Sequence, residues 1–217
     1  MEHYTALSPY LKRRFGCKVY KLSLSAGCTC PNRDGTLGAR GCIFCSGSGE
    51  FAASGSASIP EQLEQAKYIL GKKAQGAKFI AYFQDFTNTY GAVSRLEPLF
   101  LAAIEAGDVV ALSIATRPDC LPEDILRMLS RLRARKPVFV ELGLQTIHDN
   151  TAQYIRRGYP LSVFDDAVQK LHALDIEVIA HQILGLPGET AEMIVETTRH
   201  LGQLPVDGVK LHLLHIL

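Results

Sequence analysis

Three cysteines, Cys30, Cys42 and Cys45, lie close together in the glycine-rich segment CPNRDGTLGARGCIFC. Thiolates are the usual protein ligands of iron–sulfur clusters, and a CxxC pair joined to a third cysteine by a flexible loop can surround one inorganic core. Three thiolates on a four-iron cluster leave one iron open to a substrate or a cofactor. The spacing therefore predicts a 4Fe-4S cluster bound by Cys30, Cys42 and Cys45.

A further cysteine, Cys28, stands two residues before Cys30 and makes a zinc site the alternative. Four thiolates could enclose a zinc ion, but zinc sites use a short CxxC-type gap on both sides. The pair Cys28 and Cys30 points to opposite faces of an extended chain, which chelates poorly. The spacing favours the cluster over a zinc-stabilised binding module without catalysis. We prefer Cys30 as the first ligand because it directly precedes the glycine loop.

The composition indicates one globular domain over residues 1–217, with 47% hydrophobic and 21% charged residues. A formal net charge of +1 gives no general attraction to nucleic acid or to a membrane. The sequence carries no signal-peptide pattern and no apolar run of membrane-spanning length. We therefore expect no membrane partner and a cytoplasmic location, where thiols stay reduced and can serve as ligands.

Short apolar runs alternate with amphipathic helical patterns along most of the chain. Strands are predicted at residues 19–25, 77–83, 108–115, 138–144, 176–184 and 208–214, and helices at residues 60–73, 96–105, 122–135, 161–174 and 190–204. This alternation predicts a parallel α/β sheet, either an open doubly wound sheet or a partial barrel. The loop at residues 26–58 holds the cysteines, and loops of this length are usually functional. Because no covering helix follows the sixth strand, we expect a further C-terminal region.

Polar residues cluster where the predicted strands end, which is where parallel α/β folds place their ligand sites. Gln84 and Thr87 follow the second strand, and Gln145 follows the fourth. The alternation of side chains along a strand also puts His181, Lys210 and His212 toward one cavity, and Glu141 on the same face as Gln145. We expect Glu141 to line the barrel interior, and the three groups that can carry a positive charge suit an anionic or hydrogen-bonding substrate.

In these features the chain resembles the radical S-adenosylmethionine (SAM) superfamily. The segments CPNRDGTLGARGCIFC, TRPDC, ELGLQTIHD, GLPGE and VDGVKLHLLHI resemble the YhcC-like bacterial group, itself similar to the radical SAM domain of the Elongator catalytic subunit. The spacing C-x11-C-x2-C departs from the common C-x3-C-x2-C and resembles the expanded first gap of the Elongator-like branch. The resemblance implies a (βα)6 partial TIM-type barrel of parallel strands.

The resemblance also implies a cofactor pair, a 4Fe-4S cluster and SAM. In such enzymes an electron from the reduced cluster cleaves SAM to methionine and a 5′-deoxyadenosyl radical, which abstracts a hydrogen atom. Gln145 resembles the amide that contacts the ribose or methionyl part of SAM, and Arg157 the arginine that pairs with its carboxylate. The turn of Gly185, Leu186 and Pro187 resembles the adenine-binding element.

Other implied contacts and partners are less specific. Gln84 and Thr87 stand where many relatives carry a glycine-glycine-glutamate motif that binds the SAM amino group, a motif this sequence lacks. The electron donor is expected to be a flavodoxin or a ferredoxin. By analogy with the Elongator-like branch, tRNA is the expected substrate, most specifically the C5 side chain of a wobble uridine. A small metabolite or a peptide is the alternative substrate.

Overall fold

Six parallel strands form one curled half-barrel in the computed structural model, which describes residues 4–45 and 57–214. The strands pair in chain order, each with the next along the sequence. They are β1 (Val19–Leu24), β2 (Lys78–Phe83), β3 (Val109–Thr116), β4 (Val138–Gln145), β5 (Glu177–Leu184) and β6 (Gly208–Leu213). The sequential order confirms the partial barrel and excludes a doubly wound sheet, in which the strand order reverses. Every predicted strand begins and ends within one residue of the observed one.

Seven helices connect or precede the strands in the described part of the chain. They are α1 (Leu7–Phe15), α2 (Ile59–Leu70), α3 (Val93–Glu105), α4 (Glu123–Arg133), α5 (Asp149–Tyr154), α6 (Leu161–Ala173) and α7 (Ala191–Leu201). The sequence pattern predicted α2, α3, α4, α6 and α7 but not α1 or α5. The helix α5 has six residues, too few to show a periodic apolar face. The helix α1 packs at the amino-terminal end of the lumen and the turn that follows α5 contacts the cysteine loop, and so both bear on the site.

The two faces of the sheet are different in character. Side chains on the convex face, such as Leu22, Leu112 and Val140, are fully buried under the helices in the main core. Those on the concave face line the lumen of the half-barrel. A second, smaller core lies at the amino-terminal end of this lumen, where Leu11 of α1 packs against Phe139 and its neighbours. A cavity beside this core is lined by Tyr10, Lys21 and Lys210, so the lumen also has an opening toward its amino-terminal end.

The helix α1 is held in place by polar contacts as well as by apolar packing. The hydroxyl of Tyr10 donates a hydrogen bond of 2.6 Å to the Glu177 carboxylate at the start of β5, and Arg14 pairs with the same carboxylate. Within the described residues, no helix is long and apolar enough to cross a membrane. Residues 46–56 of the predicted cysteine loop lie outside the described residues.

Candidate cofactor and substrate site

The cysteine loop follows directly from β1 and brings Cys30, Cys42 and Cys45 together. The amide of Cys45 donates to the carbonyl of Cys42 at 3.1 Å, which forms a tight turn across the CxxC pair. Burial raises the pKa of the Cys42 thiol; Asn32 and Arg117 oppose the rise, whereas the charges of Cys30 and Cys45 add to it. The thiols of Cys30 and Cys45 therefore lie near enough to Cys42 for their charges to act on it.

The arrangement of these thiols bears on the kind of metal centre. Among the described residues, no three His, Cys, Asp or Glu side chains converge tightly enough to share a single metal ion. A zinc ion draws all of its ligands to bonds of about 2.3 Å from one centre. The thiolates of a four-iron cluster bind different irons and therefore stand further apart. The donor set of three neighbouring thiols fits the cluster.

Cys28 has a different environment from the other three cysteines of this region. Its sulfur accepts a hydrogen bond of 3.0 Å from Nη2 of Arg95, and its side chain packs against the main core. Nη1 of Arg95 also donates to the carbonyl of Ala26 at 2.7 Å, which fixes the guanidinium in place. Burial raises the pKa of the Cys28 thiol, and Arg95 partly opposes that rise. The sulfur of Cys28 therefore already has a hydrogen-bond partner within the chain, the guanidinium of Arg95.

The turn that follows α5 is hydrogen-bonded to the cysteine loop. Nδ2 of the buried Asn32 lies 3.2 Å from the sulfur of Cys42 and donates to the carbonyl of Arg156 at 2.7 Å. The amide of Ile43 donates to the carbonyl of Ile155 at 3.2 Å. Hydrogen bonds to cluster sulfurs influence the reduction potential of a cluster. The sequence analysis missed this role of Asn32, because its partner stands far away in the sequence.

Arg157 is almost wholly buried, with 1% of its surface exposed. Its Nη1 donates to the carbonyls of Leu144 at 3.1 Å and Thr146 at 2.5 Å, and its Nε to the carbonyl of Tyr159 at 3.0 Å. Its Nη2 is buried without a partner in the described part of the chain. The guanidinium thus holds the end of β4 and keeps one donor nitrogen free for a ligand.

Gln145 stands at an irregular point in the sheet, where the pairing of β4 with β5 shifts register. Its φ of 68° is in the left-handed region, which a residue other than glycine occupies at a cost of about 1 kcal/mol. Its Oε1 is buried and has no partner among the described residues. An unpaired buried polar atom costs about 1–3 kcal/mol, which a bound ligand can recover.

Gln145 and Arg157 offer one free acceptor and one free donor at the same strand end. The amino and carboxylate groups of an amino acid need an acceptor and a donor, respectively. The chemistry of these two atoms, beside the cysteine loop, therefore fits the methionyl part of SAM. The predicted roles of both side chains in binding SAM stay predictions.

The turn of Gly185, Leu186 and Pro187 lies against the cysteine loop. Leu186 belongs to a small apolar cluster in which Ile183 and Ile155 are packed by Ile43 and Phe44. Gly185 has a φ of 81°, a conformation that glycine adopts without strain. The hydroxyl of Thr146 donates to the carboxylate of Glu189, which joins this turn to the end of β4. The predicted adenine-binding element is thereby placed beside the cysteines and Gln145.

The end of β2 also reaches the cysteine loop. The hydroxyl of Ser23 in β1 donates to Oε1 of Gln84 at 3.1 Å. The amide of the buried Thr87 donates to the carbonyl of Thr29, immediately before Cys30, at 3.3 Å. Gln84 and Thr87 thus lie at the rim of the lumen, and their predicted contact with SAM remains a prediction.

Glu141 lies at the centre of the lumen, and its side chain is fully buried. Its carboxylate forms an ion pair with Lys21 of β1 and accepts a hydrogen bond of 2.6 Å from Ser113 of β3. Nε2 of His181 lies 2.8 Å from Oε2, and the Lys210 ammonium 3.6 Å from it. Burial alone raises the pKa of Glu141, but His181, Lys21 and Lys210 outweigh it and hold the pKa far below its ordinary value.

The predicted lumen residues therefore come together, and further strands add to them. His212 of β6 approaches His181, with Nε2 and Nδ1 of the two rings 3.3 Å apart. Lys210 donates to the hydroxyl of Tyr82 in β2 at 3.3 Å. The sequence analysis missed Lys21, Tyr82 and Ser113 as lumen residues. Their inward direction follows from the alternation of side chains once the register of the neighbouring strands is known.

A parallel half-barrel with a cysteine loop after its first strand defines a class of cofactor-dependent α/β proteins. The sequence profile of the radical SAM superfamily matches residues 32–201. The chain belongs to the radical SAM superfamily, and the cofactors of this superfamily are a 4Fe-4S cluster and SAM.

Curated relatives match along nearly the whole chain. The protein YtqA of Bacillus subtilis (strain 168) is 44% identical over 100% of this chain and 68% of its own length. Protein YhcC of Escherichia coli (strain K12) is 39% identical over 95% of this chain and 66% of its own length. This chain thus spans about two thirds of the length of these relatives. A tRNA uridine(34) acetyltransferase of Methanocaldococcus jannaschii is 36% identical over 39% of this chain and 15% of its own length.

Solved structures share the fold at low sequence identity. Methanocaldococcus infernus Elp3 with an N-terminal deletion superposes with a TM-score of 0.62 at 20% identity, over 89% of this chain and 45% of that one. The methyltransferase TsrM from Kitasatospora setae, solved with cobalamin and a 4Fe-4S cluster, gives a TM-score of 0.58 at 13% identity, over 94% and 35% of the two chains. These likenesses support the half-barrel fold.

Proposed function

We propose that this chain is the radical SAM core of a tRNA-modifying enzyme that acts on the C5 side chain of a wobble uridine. Local identity to a tRNA uridine(34) acetyltransferase supports this substrate, as does the likeness to the Elp3 fold. Membership in the radical SAM superfamily supports an enzymatic activity, because the proteins of this superfamily are enzymes. The observation that carries the proposal is the meeting of three neighbouring thiols with two unpaired buried polar atoms at one end of the half-barrel.

We assign the cluster to Cys30, Cys42 and Cys45. The charges of Cys30 and Cys45 act on the Cys42 thiol, whereas Cys28 is hydrogen-bonded to Arg95 and packs against the main core. A cluster held by three thiolates leaves one iron for SAM. Asn32 orients the loop through Cys42 and the carbonyl of Arg156.

The SAM contacts are assigned to residues at the ends of β2, β4 and β5 and to Arg157 in the turn that follows α5. Gln145 and Arg157 supply a free acceptor and a free donor, the turn of Gly185, Leu186 and Pro187 supplies backbone groups near the cysteines, and Gln84 and Thr87 close the rim. When bound and reduced, the cluster and SAM supply a 5′-deoxyadenosyl radical. The protein contributes ligation, orientation and exclusion of water.

The lumen below this rim is proposed to receive the reacting part of the substrate. Lys21 and Lys210 each carry one positive charge, and Glu141 carries one negative charge. Burial lowers the pKa of His181 and of His212, so both rings are neutral near pH 7. One positive charge therefore remains without a counter-charge among these groups. Lys21 forms the close pair with Glu141, so Lys210 is the cation that is available to an anionic or hydrogen-bonding group.

The test is anaerobic reconstitution with iron and sulfide, followed by measurement of 5′-deoxyadenosine with a reductant and SAM, with and without bulk tRNA. With SAM cleavage tightly coupled to the presence of substrate, we expect tRNA to stimulate 5′-deoxyadenosine formation. We also expect mass spectrometry of the digested tRNA to show a change at a wobble uridine. The control is bulk RNA that contains no tRNA, added at the same concentration. SAM cleavage that tRNA does not stimulate would reject tRNA and point to a small metabolite or a peptide.

A further inference from the structure

Three ionisable side chains form a continuous hydrogen-bonded chain along the lumen. Glu141 Oε2 lies 2.8 Å from Nε2 of His181, and Nδ1 of His181 lies 3.3 Å from Nε2 of His212. The two imidazole rings are 4.8 Å apart between centroids. Each group comes from a different neighbouring strand, β4, β5 and β6, so the rigid sheet sets the distances between them.

The positions of the protons in this chain follow from the charge of Glu141. Its pKa lies far below the ordinary value, so the carboxylate is ionised and can only accept hydrogen bonds. Nε2 of His181 must therefore carry the proton, and Nδ1 of this neutral ring is an acceptor. That acceptor requires a proton on Nε2 of His212. Because His212 is also neutral, its Nδ1 carries no proton and is free to accept one.

The register of the strands shows the direction in which this chain runs. Glu141 is opposite Ile179, His181 lies two residues further along β5, and His212 is opposite Ile183. The chain therefore climbs toward the carboxyl ends of the strands. Ile183 belongs to the small apolar cluster against which Phe44 of the cysteine loop packs. The last member, His212, thus lies at the level where the reactive cofactors are proposed to bind.

We propose that Glu141, His181 and His212 form a proton relay in which Nδ1 of His212 accepts a proton from an N–H or O–H group of the substrate. This role rests on the proposed function, because it needs a substrate at the carboxyl end of the lumen. The substrate class is one that carries such a group next to the carbon that reacts. Neither the superfamily match nor the relatives' names assign any of these three residues.

The proton step is balanced without an added oxidant or reductant. The N–H or O–H bond of the substrate breaks, its electron pair stays on the substrate, and a new N–H bond forms at His212. The positive charge is shared with His181 through their hydrogen bond and is stabilised by Glu141, which stays ionised, as the aspartate of a serine-protease triad does. Release of the product opens the lumen, and His212 returns the proton to solvent.

The charged groups around His212 set its strength as a base. Burial, the ring of His181 and the ammonium of Lys210 together lower the pKa of His212 from 6.5 to about 4, and the carboxylate of Glu141 acts in the opposite direction. Lys21 of β1 and Tyr82 of β2 are further titratable groups of this lumen, and the charge of Asp85, just beyond β2, acts on Tyr82. An anionic group of the substrate that paired with Lys210 would offset the positive charge that lowers the pKa of His212. Binding of the substrate would then make His212 a stronger base.

The first test needs neither cofactor nor substrate. Nitrogen-15 NMR of histidine side chains in the purified protein reports which ring nitrogens carry protons. Near neutral pH we expect His181 and His212 both neutral and both protonated at Nε2, and we expect Glu141→Gln to abolish this fixed preference at His181. His212 protonated at Nδ1, or either ring cationic near neutral pH, would overturn the relay. This result does not depend on whether tRNA is the substrate.

The second test measures coupling in the reconstituted enzyme with bulk tRNA as the probe. We expect His212→Gln to lower the ratio of modified nucleoside to 5′-deoxyadenosine about 100-fold, the usual size of a general-base contribution. The matched control is His172→Gln, the same change at an exposed position of α6, which should leave the ratio unchanged. A His212→Gln enzyme with the wild-type ratio would reject the relay. If wild-type enzyme modifies no tRNA, the proposed substrate fails and the NMR result alone decides the relay.

Discussion

The side-chain amide of Asn32 donates a hydrogen bond of 2.7 Å to the backbone carbonyl of Arg156, across 124 residues of sequence. The same nitrogen lies 3.2 Å from the sulfur of Cys42. One buried amide thus joins a proposed cluster ligand to the turn that also carries Arg157. The position of the cysteine loop depends on this turn, which no local pattern in the loop could indicate.

We predict that Asn32→Ala weakens retention of the cluster without unfolding the chain. Loss of a buried hydrogen bond that also serves a sulfur costs about 1.4 kcal/mol, which corresponds to about a tenfold faster loss of iron to a chelator. The rate of iron release is followed by absorbance under anaerobic conditions. Asn150→Ala, at an exposed position of α5, is the control and should release iron at the wild-type rate. Equal rates in both variants would show that Asn32 does not support the cluster.

A second prediction concerns Gly143, over which the side chain of Gln145 lies. A Cβ atom at position 143 would meet Nε2 of Gln145 at 2.9 Å and the hydroxyl of Tyr159 at 3.3 Å. We expect Gly143→Ala to displace Gln145 and to weaken SAM binding about tenfold, the worth of one hydrogen bond, while the cluster is kept. Equilibrium binding of SAM to the reconstituted protein measures this. Gly107→Ala, where a Cβ meets nothing within 4 Å, should bind SAM normally, and equal affinity in both variants would count against Gln145.

Arg157 should matter for stability as well as for SAM. Its guanidinium donates to three carbonyls, so Arg157→Ala leaves buried acceptors unpaired and should lower the free energy of unfolding by about 3 kcal/mol. Urea unfolding of the protein without cofactors measures this cost, and SAM binding to the folded fraction measures the second role. The exposed neighbour Arg156→Ala should change the stability by less than about 0.5 kcal/mol. Unchanged SAM affinity in Arg157→Ala would restrict this residue to a structural role.

The lumen histidines predict a specific pH dependence of stability. The pKa of His212 is lowered from 6.5 to about 4 in the folded chain, so the unfolded chain binds more protons between these values. The contribution of the neutral His212 ring to the free energy of unfolding is therefore fully present above about pH 6.5. This contribution is lost as the pH falls toward about 4. His181, whose pKa burial also lowers, acts in the same direction. Urea unfolding across this range should show a shallower loss for His212→Gln than for the wild type, and an equal slope would contradict the buried, neutral state of this ring.

Much of the fold could be predicted because its strands are buried on both faces. Such strands are short, nearly continuous apolar runs, and helices with clear periodicity separate them. The helix α1 escaped prediction because Leu11 is its only buried residue, so its apolar stripe is narrow. The short α5 has no periodic stripe at all. The packing of α1 at the amino-terminal end of the lumen therefore became visible only in the structure.

The candidate site was predictable to the extent that its residues stand at strand ends or in motifs. Glu141, His181, Lys210 and His212 follow from alternation within strands. Their partner Ser113 belongs to β3, which pairs directly with β4, whereas their partner Lys21 belongs to β1 and reaches Glu141 across the curved sheet. Neither contact follows from the pattern of a single strand. The buried state of Arg157 was not predictable either, since IRRGY resembles a solvated helix end until its carbonyl partners are known.

The central claim is that Cys30, Cys42 and Cys45 hold a 4Fe-4S cluster that cleaves SAM. The most direct measurement is the iron and sulfide content of anaerobically reconstituted wild type, Cys30→Ala and Cys28→Ala, together with 5′-deoxyadenosine formed from SAM under reducing conditions. We predict four irons and four sulfides, as the cluster formula requires, and SAM cleavage in the wild type and in Cys28→Ala, with both lost in Cys30→Ala. A colourless wild-type protein that holds zinc and forms no 5′-deoxyadenosine would contradict the claim, and loss of the cluster in Cys28→Ala with retention in Cys30→Ala would contradict the ligand assignment.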